Sequence, residues 1–180
     1  SRLDREFTIE ERHKSNGSGI ASWTDWKSLP LHAIIDLTCV YSDCLTTNIM
    51  IEYLGGMTSV NTQFRKLGYK STKILKDHVS FDDTCGGIEH FGSTTPLEAA
   101  KWMPDVLTDT DIDPQILSQF IHSTRSIDTP WFTHPDPTSI NLLVKTGSMI
   151  DTDDQGSSVY NLVGSFTVSG KQYSFAFFSY

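Results

Sequence analysis

Two short groups of polar residues in this sequence could take part in chemistry. The first is the stretch 41–48, where Ser42, Asp43, Cys44 and Asn48 contribute a hydroxyl, a carboxylate, a thiol and an amide. Apolar residues at helical spacing flank this stretch, so the polar groups are predicted to lie where two core-facing helices meet. Buried polar groups need hydrogen-bond partners. Ser42 and Asp43 can find them by capping the second helix, or their side chains can serve a reaction.

The second group is Lys145-Thr146-Gly147, which follows the apolar run 140–144 and is therefore predicted to lie on a strand. Taken alone, this group describes only a strand that ends in a turn. However, Ser-Asp-Asn and Lys-Thr-Gly are two of the three motifs of penicillin-recognising serine hydrolases. Here Ser42-Asp43-Cys44 and Lys145-Thr146-Gly147 follow in that order, with a different third residue in the first motif.

Over nearly its whole length the sequence resembles a class A β-lactamase, a penicillin-recognising serine hydrolase. The matching segments are Leu3–Glu6, Ser42–Asp43 with Asn48, Gly55–Gly56, Leu67–Gly68, Thr94–Pro96, Lys145–Gly147 and the final strand 173–178. The resemblance implies an α+β fold of the β-lactamase/transpeptidase type, with a helical subdomain packed on an antiparallel sheet. It also implies a serine hydrolase that acts on β-lactam-like amides by acyl transfer through a serine ester.

The third motif, Ser-x-x-Lys, which carries the nucleophile, does not occur in residues 1–180. In the family, the nucleophile helix precedes the segment that Leu3–Glu6 resembles, and a closing helix follows the last strand. We therefore expect an internal piece of a hydrolase, incomplete at both ends. Such a piece alone would be inactive, and it would associate with a complementary N-terminal fragment or with itself.

The resemblance implies a role for each residue of the two motifs. Ser42 would relay a proton to the leaving nitrogen, because a hydroxyl can donate and accept at once. Lys145 would bind the substrate carboxylate and lower the proton affinity of Ser42, while Thr146 would donate to the same carboxylate. Gly147 would let a ligand approach the strand. The backbone N–H of Ser148 would be one of two oxyanion donors, and losing such a donor costs ~3 kcal/mol.

The resemblance also implies roles for four further residues near the site. Asp43 and Asn48 are expected to tie the helix junction together. Cys44 stands where the family has an asparagine that contacts the substrate, and a thiol is a poor hydrogen-bond donor. His78 stands where the family has the glutamate of the deacylating water. Histidine can act as a general base near neutral pH, but a histidine in a loop is more often only solvated.

These departures leave alternatives to a β-lactamase open. One is a D,D-peptidase or esterase that forms an acyl-enzyme and deacylates slowly. Another is a degenerate domain that binds without catalysis. A cysteine nucleophile at position 44 is disfavoured, because the sequence places no histidine near it. The family resemblance implies a secreted or periplasmic protein that binds a small β-lactam or a peptide-like substrate.

Composition excludes several other classes of protein. Among 180 residues, 38% are hydrophobic and 20% are charged, as in ordinary globular proteins, and the net charge of −8 disfavours a nucleic-acid partner. No apolar run approaches the ~20 residues needed to span a membrane. Cys39, Cys44 and Cys85 do not form a disulfide pattern. No cysteine and histidine residues have metal-ligand spacing, so neither a metal nor another cofactor is expected.

Periodicity predicts the elements that must position these residues within a single domain, 1–180. Helices are predicted over 31–54 with an interruption at the polar stretch, over 58–67 up to Gly68, from Pro96 to a break at Pro104, and from Pro114 onward. Strands are predicted over 139–150, 158–168 and 171–179, with Ser169-Gly170 as a hairpin turn. The helical part would cover about 20–128 and the sheet 139–180. The long stretch 69–93 has no sustained period and is predicted to be a loop.

Overall fold

The computed structural model describes residues 1–81, 91–125, 140–150 and 158–179. Its helices are α1 Leu31–Tyr41, α2 Cys44–Tyr53, α3 Gly56–Lys66, α4 Pro96–Thr108 and α5 Pro114–Arg125. Its strands are β1 Glu6–Thr8, β2 Ser28–Pro30, β3 Lys73–Ile74, β4 Gly92–Ser93, β5 Leu143–Ile150, β6 Ser158–Val168 and β7 Lys171–Ser179. This mixture of helices and antiparallel strands confirms the predicted α+β class.

The chain forms two compact units, residues 1–95 and 96–180. The first unit holds α1 to α3 and two short antiparallel strand pairs, β1 with β2 and β3 with β4. The second unit holds α4, α5 and the three-stranded sheet. The predicted single domain, with a helical part at 20–128, stays a prediction.

Helices α1 and α2 build the core of the first unit. Ile34 on α1 and Leu45 on α2 are fully buried, and Ile49 is nearly so. The two helices are also joined by a hydrogen bond of 2.9 Å from the Thr38 hydroxyl to the Thr46 hydroxyl. The predicted helical pair with a polar interruption is therefore confirmed, and its interruption consists of Ser42 and Asp43.

Helix α3 ends in the left-handed glycine cap that the sequence predicts at Gly68. The φ angle of Gly68 is 88°, a conformation that costs a glycine little. Its N–H donates to the carbonyl of Arg65, and the N–H of Tyr69 donates to that of Phe64. This pair of hydrogen bonds satisfies carbonyls that the helix end leaves open.

The sheet of the second unit has the strand order β5-β6-β7 and is antiparallel throughout. Ser169 and Gly170, with φ angles of 50° and 73°, form the predicted hairpin turn between β6 and β7. Helix α4 packs on β6 and β7, and α5 packs on β5. The side chain of Met103 on α4 is fully buried. In this unit, the predicted packing of helices on an antiparallel sheet is present.

Three sequence predictions are wrong. Helix α4 continues through Pro104 to Thr108, because the packing of buried Met103 and the edge-to-face contact of Trp102 with Phe120 outweigh the loss of one N–H donor. Helix α3 begins at Gly56 rather than Thr58. The stretch 69–93 is not wholly irregular, since β3 and β4 pair near its two ends.

Residues 82–90 of the predicted loop 69–93, which include Cys85, lie outside the described residues. Among the helices of the described residues, none is both long and apolar enough to cross a membrane.

Candidate active site

Ser42 lies at the sharp turn between α1 and α2. It adopts a left-handed conformation, with φ 52° and ψ 39°, and its N–H donates to the carbonyl of Leu37 at the end of α1. Left-handed backbone is uncommon for residues other than glycine, asparagine and aspartate, and it persists where the surroundings impose it. The half-buried Ser42 is thus presented at a turn that the neighbouring residues hold in place.

The carboxylate of Asp43 fixes this turn. One oxygen accepts the N–H of Thr46 at 3.0 Å and caps α2, as the capping interpretation of the sequence predicts. The other oxygen accepts the N–H groups of Ile20 and Ala21 at 2.8 and 2.9 Å. Asp43 is only 1% exposed, so three backbone N–H groups take the place of water as hydrogen-bond donors to its carboxylate. The loop before β2 and the start of α2 are thereby fastened to one side chain.

Gly19 allows this fastening. A Cβ at Gly19 would lie 2.0 Å from a carboxylate oxygen of Asp43, and the φ angle of Gly19 is 95°. Both the space and the backbone conformation therefore require glycine.

The amide of Asn48 fastens a second loop to α2. Its nitrogen donates to the carbonyls of His13 and Val79, both at 3.1 Å, and its oxygen accepts the N–H of Val79 at 2.7 Å. The buried amide thus holds the backbone of residue 79 from both sides.

His78 lies next to that fixed residue. Its Nε2 is 3.2 Å from the carbonyl oxygen of Lys14. Because a carbonyl only accepts, this bond requires the proton on Nε2 and leaves the lone pair on Nδ1. The ring borders two cavities of about 260 and 370 Å³. The ring of His78 is therefore bonded to the loop that carries Lys14 and lies beside open space.

Cys44 is buried, with 3% of its surface exposed. Its N–H donates to the carbonyl of Ser18 at 3.0 Å. Burial raises the pKa of the Cys44 thiol, and the negative charge of Asp43 raises it further. A raised pKa keeps the sulfur protonated and weakly nucleophilic. These features disfavour a reactive cysteine.

The second unit places Lys145 to Ser148 in register on β5. Lys145 lies opposite Val163 of β6, and its Nζ donates to the carbonyl of Thr146 at 2.6 Å. Lys145 and Thr146 are half-buried, whereas Gly147 and Ser148 are exposed. In the described residues, β5 pairs with β6 along one edge only.

Packing does not require the glycine at position 147. A Cβ there would meet only the Cβ of Asn161, at an ordinary 3.8 Å. By contrast, a Cβ at Gly164 would lie 2.4 Å from the carbonyl oxygen of Leu143, so the fold itself requires that glycine. The free space at Gly147 is compatible with a ligand close to the strand.

The structure thus gathers Ser42, Asp43, Cys44, Asn48 and His78 in the first unit, and Lys145 to Ser148 in the second. In the described residues, no group of three His, Cys, Asp or Glu side chains is arranged to hold a metal ion.

Sequence reasoning missed a charged network beside this site. Glu52 on α2 binds Arg12 at 2.8 Å and the buried His13 at 3.1 Å, and Arg12 also pairs with Glu10. The hydrogen bonds from Arg12 and then from His13 lower the pKa of Glu52 to about 2. A signal was available, because Glu52 interrupts the apolar pattern of α2.

Comparison with known proteins identifies the family. A family model described as the Beta-lactamase enzyme family matches residues 1–179. The chain belongs to this β-lactamase family. The predicted family is therefore confirmed. Among the curated proteins, none matches the sequence.

Solved structures share the fold. A β-lactamase from Sphaerobacter thermophilus has a TM-score of 0.75 at 21% identity, over 99% of this chain and 65% of the other. A class A β-lactamase from Bacteroides cellulosilyticus gives 0.77 and 22%, over 98% and 65%. PBP-A gives 0.73 and 18%, over 97% and 61%. The β-lactamase-like chain therefore spans less than two thirds of the length of these neighbours.

Proposed function

We propose that this chain forms part of a serine hydrolase that acts on β-lactam-like amides by acyl transfer through a serine ester. The serine nucleophile would be supplied from outside residues 1–180, since no Ser-x-x-Lys occurs within them. The observation that carries the proposal is the fixed turn at Ser42, which Asp43 secures by accepting hydrogen bonds from three backbone N–H groups. A proton relay must be held in place to work in the transition state.

In this proposal Ser42 passes the nucleophile's proton to the leaving nitrogen of the amide. Its hydroxyl accepts one proton while it donates another, so no charge has to accumulate on it. As the family resemblance implies, Lys145 and Thr146 bind the carboxylate of the substrate. The free space at Gly147 admits the substrate, and the N–H of Ser148 stabilises the oxyanion.

Fewer observations support a deacylation step than support acylation. Deacylation needs a group that takes a proton from water, and His78 occupies the position of the family's glutamate. Its Nε2 bonds to the carbonyl of Lys14, so only Nδ1 could take a proton from water, and the bulkier ring is not expected to hold a water where the family's glutamate does. We therefore propose that His78 is not the base and that the acyl-enzyme is long-lived.

A slowly deacylating D,D-peptidase or esterase is the second candidate. The buried, protonated Cys44 favours it, because this side chain cannot replace the hydrogen bonds of an asparagine amide. PBP-A offers a parallel, since a variant of that structural neighbour has been solved as an acyl-enzyme complex with penicillin G. A binding domain without catalysis is the remaining alternative. A secreted or periplasmic location stays an expectation from the family.

The variant Ser42→Ala tests the relay in the protein that carries this chain together with its nucleophile. We expect acylation by a chromogenic cephalosporin to slow by about 10²–10⁴-fold, the range for a lost general acid–base group. Ser18→Ala is the control, because Ser18 contributes a backbone carbonyl to Cys44 and no described side-chain hydrogen bond. Equal acylation by Ser42→Ala and the parent protein would remove Ser42 from the mechanism.

A further inference from the structure

Asn16 and Gly17 form the only asparagine–glycine pair in the sequence. The backbone nitrogen of a glycine is poorly shielded, because no side chain stands beside it. Directly after an asparagine, this nitrogen can reach Cγ of the asparagine side chain and close a five-membered ring with it. Asparagine counts among the thermolabile residues of proteins. Of the asparagines in this chain, Asn16 therefore has the neighbour that most favours loss of its side-chain amide.

The fold requires the glycine of this pair. The φ angle of Gly17 is 142°, which other residues rarely adopt, and a Cβ there would lie 2.1 Å from Cδ2 of Phe81. A larger residue at position 17 would hinder the attack on Asn16, but the packing of Phe81 against the loop excludes one. The reactive pair is thus a consequence of how this loop packs.

Both reacting groups of the pair are unengaged. Across the part of the chain that the structure describes, neither the side-chain amide of Asn16 nor the N–H of Gly17 makes a hydrogen bond. Asn16 is exposed and borders the cavity of about 260 Å³, so water has access to it. By contrast, backbone groups hold the side-chain amides of Asn48 and Asn61 through both their nitrogen and their oxygen.

We propose that Asn16 is a site of spontaneous deamidation. The backbone nitrogen of Gly17 loses its proton to hydroxide and attacks Cγ of Asn16, and the side-chain nitrogen leaves as ammonia with a proton taken from water. The resulting succinimide takes up one water, which opens one of the two C–N bonds of the ring. Opening at Cγ gives aspartate, and opening at the main-chain carbonyl gives isoaspartate. The net reaction converts an amide and water into an acid and ammonia.

Isoaspartate at position 16 changes what the loop can hold. The main-chain carbonyl of Asn16 accepts the N–H of Phe81 at 2.8 Å and the hydroxyl of Ser80 at 3.3 Å. In isoaspartate the chain runs through Cγ, so this carbonyl becomes part of a free carboxylate and the backbone gains one atom. The acceptor no longer lies where the ordinary backbone places it. The modification therefore loosens the segment 78–81, which also carries His78.

Peptide mapping of the aged 180-residue chain tests the modification. The chain is kept at mildly alkaline pH and then digested with trypsin at slightly acidic pH, which stops further conversion. The tryptic peptide 15–27 contains Asn16 as its only asparagine. We expect it to gain the mass of an amide-to-acid conversion at a rate of the same order as the free synthetic peptide, with more isoaspartate than aspartate. Asn141 is the reference within the same sample, because it is also exposed but precedes a leucine.

Asn16→Gln is the matched control variant, because glutamine keeps the amide but would have to close a less favourable six-membered ring. Hydrogen exchange of the segment 78–81, measured by mass spectrometry, then tests the consequence of the modification. We expect faster exchange in the aged parent chain than in the fresh one, and no change on ageing of Asn16→Gln.

Three results would overturn the inference. Conversion at Asn16 no faster than at Asn141 would show that the folded loop protects the amide, and aspartate without isoaspartate would exclude the succinimide. Equal exchange of the segment 78–81 in the modified and unmodified chains would refute its loosening. None of these measurements needs a nucleophile or a substrate, so their outcome is independent of the proposed function.

Discussion

Asp43→Ala should lower the free energy of unfolding by more than the loss of an ordinary helix cap would. The carboxylate is 1% exposed and accepts the N–H groups of Ile20, Ala21 and Thr46 at 2.8–3.0 Å. Asp43→Ala removes both acceptor oxygens and so all three hydrogen bonds at once. The N–H groups of Ala21 and Thr46 are in buried residues, where water cannot easily replace the lost bonds.

The size of the effect follows from the bonds. Loss of the cap on α2 costs about 1 kcal/mol. The buried N–H of Ala21, left unsatisfied, costs about 1–3 kcal/mol, and loss of the part-buried bond from Ile20 costs about 0.5–1.5 kcal/mol. We therefore expect Asp43→Ala to lower the free energy of unfolding by about 3–5 kcal/mol. That loss is a large fraction of the about 5–15 kcal/mol that stabilises a typical domain.

Asp113→Ala is the matched control, because the Asp113 carboxylate caps α5 through an exposed bond of 2.9 Å to the N–H of Gln115. We expect this variant to lose only about 1 kcal/mol. Urea denaturation of both variants and the parent, followed by circular dichroism, measures the difference. If the two variants lost amounts of unfolding free energy that differ by less than about 1 kcal/mol, Asp43 would be an ordinary helix cap and not the residue that fixes the turn at Ser42.

Three further predictions concern single charged or basic groups. In the nucleophile-bearing protein, Lys145→Ala should slow acylation by acidic β-lactams far more than it lowers thermal stability; unchanged acylation with a large drop in Tm would assign Lys145 a structural role. His78→Ala should leave the lifetime of the acyl-enzyme unchanged in mass spectrometry, and rapid deacylation lost only in His78→Ala would contradict this. Because Arg12 and His13 lower the pKa of Glu52 from 4.5 to about 2, its stabilisation is present above pH 4.5 and is lost as the pH falls towards 2. Glu52 is half-exposed, so Glu52→Gln should lower the free energy of unfolding at pH 7 by a small amount, less than about 1 kcal/mol. Urea denaturation of Glu52→Gln and the parent protein at pH 7 and pH 2.5 measures this difference. Identical urea midpoints at pH 7, with the same loss of stability in both proteins at pH 2.5, would contradict the prediction.

Local signals in the sequence were sufficient for the elements that carry the site. Apolar spacing predicted α1 and α2, and the polar interruption predicted their junction at Ser42 and Asp43. Gly68 and Ser169-Gly170 predicted a helix end and a hairpin because their backbone conformations are largely set by residue type. Pro104 does not end α4 as predicted, because side-chain packing in the second unit outweighs the low helix propensity of proline.

The partners of the site residues could not be predicted in the same way. Two of the three donors to Asp43 lie more than twenty positions earlier in the chain, at Ile20 and Ala21, and Asn48 bonds to Val79, 31 positions later. Periodicity reports which face of a helix is buried, but not which loop covers it. The close approach of the Phe81 ring to Gly17 likewise depends on tertiary contacts.

The most direct test of acyl transfer is the intact mass of the nucleophile-bearing protein after brief exposure to penicillin G, followed by peptide mapping. We predict one added penicillin that persists, attached to a serine outside residues 1–180, and a much slower addition in Ser42→Ala. Absence of any adduct in the folded protein would contradict the proposal, and so would an adduct on Cys44 or on another residue within this chain.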